Sequence, residues 1–153
     1  MDGSKSTITP DRTRRSTCAR QCQRHYEEMA QSSGARQYAP DGSEVRELSV
    51  GRNGGMAHFT MLPGQVSSAV KHKTVEEIWY IVTGQGEMWR SDEDGPRKDA
   101  LATGVTIVIP VGTSFQFRNT GDGPLEIVGA TMPPWPNNQE AVPVDNHWDV
   151  PES

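Results

Sequence analysis

Residues 64–84 read GQVSSAVKHKTVEEIWYIVTG, and the reading of this stretch decides the fold. Gly64 and Gly84 bound it, and between them lie two short runs rich in β-branched and aromatic residues. Alternation with a period of two puts Val70 and His72 on one face of the first run, with Lys71 and Lys73 on the other. After the short loop beyond His72 the phase resets. Glu77, Trp79 and Ile81 then face inward while Ile78, Tyr80 and Val82 face out. Downstream, residues 104–119 read GVTIVIPVGTSFQFRN, and here Phe115 and Phe117 share a face, with Gln116 and Arg118 pointing outward.

Outward from these two stretches the same texture continues. Short apolar runs at residues 45–50, 56–62, 66–72, 78–82, 86–90, 106–109, 114–118 and 125–131 are separated by Gly, Pro and Asp, which predicts eight strands joined by turns. Gly84-Gln85-Gly86 and Gly121-Asp122-Gly123-Pro124 supply the backbone angles that tight hairpins need, and Ser91-Asp92-Glu93-Asp94-Gly95-Pro96 reads as an acidic exposed loop. Eight short antiparallel strands suit a double-sheet jelly roll. A polar segment, residues 1–38, precedes this body and carries a possible short helix over residues 17–31, ended by Ser32-Ser33-Gly34. Residues 39–132 form the expected barrel. Met132-Pro133-Pro134-Trp135-Pro136 cannot continue a ladder at its prolines, so residues 133–153 are expected to leave the sheet as a tail that packs on the barrel, with Trp135 and Trp148 as its large buriable surfaces.

The two stretches resemble the paired signature of the cupin superfamily. The first family pattern is Gly, five residues, His-x-His, three or four residues, Glu, six residues, Gly; the chain keeps each interval from Gly64 through His72 and Glu77 to Gly84. The second is Gly, five residues, Pro-x-Gly, two residues, His, three residues, Asn, and it is kept from Gly104 through Pro110 and Gly112 to Asn119. Val70 and Phe115 stand where two of the pattern's histidines belong. The resemblance implies an all-β fold, a double-stranded β-helix or jelly-roll barrel, whose interior holds His72 and Glu77. It also implies a homodimer, since cupins commonly pair through such strands, and the outer row Ile78, Tyr80 and Val82 asks to be covered by the tail or by a second subunit.

Typical metallo-cupins hold Fe, Mn, Ni or another divalent ion with three His and one Glu. Val70 and Phe115 have no donor atoms, and two protein ligands rarely hold a divalent ion, so no cofactor is expected. The one rescue in the barrel body is His58, which with His72 and Glu77 would compose a two-His, one-carboxylate set for Fe, Mn, Ni or Zn, as in a dioxygenase. Without metal, His72 and Glu77 form a titratable pair in an apolar cavity walled by Val70, Trp79, Phe115 and Phe117, with His58 as a further lining residue. Such a pair can run isomerisation, cyclisation or elimination on an apolar or aromatic small molecule. Two other readings stand beside it: a metal-dependent cupin enzyme and a non-catalytic ligand-binding cupin.

Composition narrows the partners. Lys5, Arg12, Arg14, Arg15, Arg20 and Arg24 face only Asp2 and Asp11 in the first 25 residues, so with a total of −5 the remainder lies near −9. An acidic body without a basic stripe speaks against nucleic acid. No apolar run approaches the roughly 20 residues of a membrane span and no secretory leader is legible, which makes cytoplasm the expected location. Cys18, Cys22 and His25 are spaced too loosely for a zinc clip and read as two free thiols with a bystander.

Overall fold

The computed structural model describes residues 37–39 and 41–151. The expected helix over residues 17–31 and the Cys18, Cys22 and His25 trio lie outside them. The described residues form eleven strands and no helix: β1 (Gln37–Tyr38), β2 (Glu44–Val50), β3 (Gly55–Met61), β4 (Val70–His72), β5 (Glu76–Thr83), β6 (Gln85–Asp92), β7 (Gly95–Ala102), β8 (Thr106–Ile109), β9 (Ser114–Asn119), β10 (Leu125–Met132) and β11 (Ala141–Pro143). They build two antiparallel sheets, one in the order β1-β2-β3-β10-β5-β8 and the other in the order β11-β4-β9-β6-β7. No helix among the described residues is long and apolar enough to cross a membrane.

Three strands had no counterpart in the eight expected. β7 lies where the sequence Gly95-Pro96-Arg97-Lys98-Asp99 is too polar to show an apolar alternation, yet it pairs with β6 along its whole length. Its polar residues face solvent and only Leu101 is buried, so the sheet edge tolerates what a core strand would not. β1 and β11 are too short for any periodicity to register, and β11 belongs to the tail: it pairs antiparallel with β4, placing Ala141 opposite His72. Residues 66–69 are not strand, although Val66 bridges Arg118.

The inner faces follow the alternation. Val70, His72, Glu77, Trp79, Ile81, Phe115 and Phe117 are all buried between the sheets, whereas Ile78, Tyr80 and Val82 are exposed at 41%, 48% and 38%. Gln116 departs from its expected outward, solvated position: it is fully buried. Its amide nitrogen donates to the carbonyls of Ser67 and Trp148, and its oxygen accepts from the backbone N–H of His147 and Trp148. The tail thus lies across the outer face of β9. There Trp89 stacks on His147 with centroids 5.0 Å apart, and the Arg118 guanidinium sits 4.4 Å over the Trp148 ring.

Candidate active site

A cavity of about 240 Å³ opens at one end of the two sheets. Its floor is β4, β5 and β9, which contribute Val70, His72, Glu77 and Phe115; one wall is β3 with Ala57 and Phe59, and Trp135 of the tail lines it beside His72. Trp79 and Phe117 are buried behind this floor rather than lining it.

His72 is 4% exposed and lies between two aromatic edges, Phe115 at 5.2 Å and Trp135 at 5.0 Å between centroids. Its Nδ1 is buried without a hydrogen-bond partner. Burial pushes the imidazole pKa down to about 4 against the pull of the Glu140 carboxylate, so the ring is neutral at physiological pH. Glu77 is 3% exposed, and its Oε2 accepts a 2.7 Å hydrogen bond from Trp79 Nε1. Burial raises this carboxyl to about 7, the Trp79 bond opposes the rise, and the negative field of Asp41 adds to it.

Trp79 can place its indole there because of Gly129. The two are register partners on β5 and β10, with Ala57 of β3 on the far side. A Cβ on Gly129 would come within 2.9 Å of Phe59 and 3.2 Å of Trp79, so both rings close over the bare backbone. Phe59 and Trp79 lie 5.6 Å apart, tilted.

Two carboxylates at this site were not singled out from the sequence. Asp41 sits in the turn between β1 and β2, buried at the cavity wall, and its Oδ1 accepts from both the N–H and the hydroxyl of Ser43. Burial raises its pKa, with the Ser43 bonds opposing. The Asp41-x-Ser43 turn was the available signal, but it reads like any Asx turn. Glu140, in the tail, reaches back to the link between His72 and Glu77. Its Oε1 accepts from the N–H of Thr74 at 2.6 Å and of Val75 at 2.9 Å, and its Oε2 accepts from the Thr74 hydroxyl. Burial works against the Glu140 carboxylate, but these donors outweigh it and its pKa falls.

His58 does not join the site. On β3 the inward residues are Ala57, Phe59 and Met61, so His58 faces the outside of the sheet, where its Nε2 lies 3.8 Å from Glu126 Oε2. The expectation that it lines the cavity, or completes a metal set, is therefore corrected: a strand without a bulge at that point cannot present neighbours to the same face.

The cupin domain family matches residues 57–130. An uncharacterized protein of Methanocaldococcus jannaschii, MJ1618, is 35% identical over 100 residues, which are 62% of this chain and 77% of that one. The chain is a cupin. Among solved structures, the capsular polysaccharide assembling protein CapF of Staphylococcus aureus superposes with a TM-score of 0.62 at 17% identity, over 68% of this cupin and 32% of CapF. The oxalate decarboxylase of Bacillus subtilis, with its Mn(II) centers, does so with a TM-score of 0.62 at 17% identity, over 76% of this cupin and 31% of the decarboxylase. This cupin therefore spans about a third of each of these two chains, and they share its fold.

The Mn(II) centers belong to that decarboxylase; the donors present in this cupin do not make up the three-His, one-Glu set. The unpartnered His72 Nδ1 is a donor a metal could use. Val70 and Phe115, opposite each other in the β4–β9 register, occupy the remaining inner positions with hydrocarbon. Among the described residues no three His, Cys, Asp or Glu side chains converge in a metal-holding group.

Proposed function

We propose that this cupin is a small-molecule enzyme of the isomerase, cyclase or lyase type that works by proton transfer in the cavity over His72 and Glu77. The observation that carries the reading is the Glu77 carboxyl: buried, fixed by Trp79, open to the cavity and raised to about 7. A general acid or base is most effective when its pKa lies near the operating pH. Glu77 fulfils that condition in both directions, taking a proton from the substrate as carboxylate and returning it as acid.

The division of labour differs from a symmetrical pair. With its pKa depressed to about 4, His72 is too weak a base to carry the proton at neutral pH. Its buried, unpartnered Nδ1 instead suits holding a polar group of the substrate, which would satisfy a group that is costly to leave unbonded. Phe115, Phe59 and Trp135 favour an apolar or aromatic frame. The cavity has the size of a small metabolite, not of a polymer segment. The exposed row of Ile78, Tyr80 and Val82 favours pairing of two copies through this outer sheet face.

Proton abstraction leaves a trace that does not require knowing the substrate. The protein incubated with a metabolite extract in D2O should introduce deuterium at one carbon of one compound, as mass spectrometry would show. Glu77→Gln should lower the rate by about 10²–10⁴-fold, the usual contribution of a general acid or base. A compound that is retained unchanged, equally by wild type and E77Q, would instead make this a ligand-binding cupin.

A further inference from the structure

The cavity wall carries charge of one sign only. Asp41, Glu47 and Glu77 line it, on the β1–β2 turn, β2 and β5, and no Lys or Arg does so among the described residues. Gln37, Thr131 and Asn138 add neutral polar groups, and most of the rest is aromatic or aliphatic, with Tyr38, Phe59, Phe115 and Trp135 among the rings. A cluster of acids is by itself only a solvated surface. Here there is a second feature as well: His72, which also lines the cavity, is 4% exposed and its buried Nδ1 has no hydrogen-bond partner.

We infer that this cavity selects a ligand carrying an ammonium or comparably cationic nitrogen on an apolar or aromatic frame. The donors of such a nitrogen match acceptors that the site has in excess: carboxylate oxygens and, in the tautomer protonated on Nε2, the His72 Nδ1. The aromatic lining adds attraction for the cation through its ring faces. A carboxylate or phosphate ligand would meet three acids and no cation, so it would lose its water without gaining a charged partner. A bare divalent ion is not the better occupant, because the acids stand apart rather than converging on one point. A cationic group would also offset the negative field of Asp41, which adds to burial in raising the Glu77 carboxyl.

The inference rests on the cavity being the substrate site, as proposed above, but not on proton transfer there. Its test uses three probes that share one ring and differ in the head group: benzylamine, benzyl alcohol and benzoate. Each is titrated into the full-length protein, and the indole N–H signals are followed by NMR, with the Trp135 indole identified through Trp135→Phe. Benzylamine should bind at least about tenfold more tightly than benzyl alcohol, the contribution of one charge-assisted hydrogen bond, and benzoate should leave the Trp135 signal unmoved. Asp41→Asn and Glu47→Gln should each weaken benzylamine and leave benzyl alcohol unchanged. Glu47 is exposed, so its variant will fold even where the Asp41 variant does not. Benzoate or benzyl alcohol binding as tightly as the amine, or an amine that never saturates the Trp135 signal, overturns the inference. Amine selection without deuterium exchange retires proton transfer alone, and exchange without amine selection retires the cation preference alone.

Discussion

Trp79 Nε1 donates to Glu77 Oε2 across 2.7 Å, from two residues further along the same face of β5. One strand therefore carries both the buried acid and the donor that keeps it from being more basic still. The remaining environment pushes the other way, because burial and the nearby Asp41 both disfavour the carboxylate.

Trp79→Phe keeps most of the packing and removes the donor. Since that bond lowers the Glu77 pKa, its loss should move the group further above 7, by about one unit for a bond of ordinary strength. A ¹³C NMR titration of the Glu77 carboxyl reads this directly, and an unchanged or lower pKa would mean the bond has no such role.

Two buried groups bind stability to pH with opposite signs. Glu77 is raised from 4.5 to about 7, so the folded state holds its proton longer and stability from this group falls as pH rises through that window. His72 is lowered from 6.5 to about 4, so the unfolded state holds its proton longer and stability from this group rises between those values. The two slopes oppose each other over most of their shared range. Glu77→Gln should unmask the rising limb of His72 and exceed the wild type at pH 8 by on the order of 3 kcal/mol. His72→Gln should leave a falling limb between about pH 4.5 and 7. Urea midpoints at several pH values distinguish these profiles from a flat one.

Glu140 holds the turn between β4 and β5 with three hydrogen bonds although it lies 65 and 66 residues away from the groups it binds. Glu140→Ala leaves the N–H groups of Thr74 and Val75 without their acceptor and should cost about 2–3 kcal/mol in urea unfolding. It should also slow catalysis without shifting the pH at which Glu77 titrates by more than a fraction of a unit, because the carboxylate acts on the turn and not on that acid.

Gln116→Leu tests the strap. The substitution keeps the volume and deletes four hydrogen bonds that tie Ser67, His147 and Trp148 to β9. Loss of about 2–3 kcal/mol is expected from the groups left unbonded. Limited proteolysis should then cut within residues 144–148 faster than in the wild type; equal resistance in the variant would show that the strap is held by Trp148 and Arg118 instead.

The inner row of the barrel was legible in the sequence because a strand's alternation is a local property. Val70 with His72, Glu77 with Trp79 and Phe115 with Phe117 each sit two residues apart, and a period of two sends both members to one side whatever the rest of the chain does. The turns were legible in part: Gly64, Gly84, Gly104 and Gly112 adopt positive φ, where other residues are strained, whereas Gly86, Gly121 and Gly123, expected to supply such angles to hairpins, do not. The same alternation, applied to β3, already implied that His58 and Phe59 face opposite ways; what it left open was which of them faced in.

Tertiary structure decided the rest. Gln116 is outward by alternation and buried all the same, since the face opposite the core is covered by a tail that no local pattern connects to it. Asp41, Glu140 and Trp135 reach the site from a turn and from the tail, across sequence separations that carry no periodic signal. The electrostatics followed the same rule. That Glu77 is raised and His72 lowered depends on how completely water is excluded around each, and exclusion is set by every segment that closes over the cavity, not by the residues on either side in the chain.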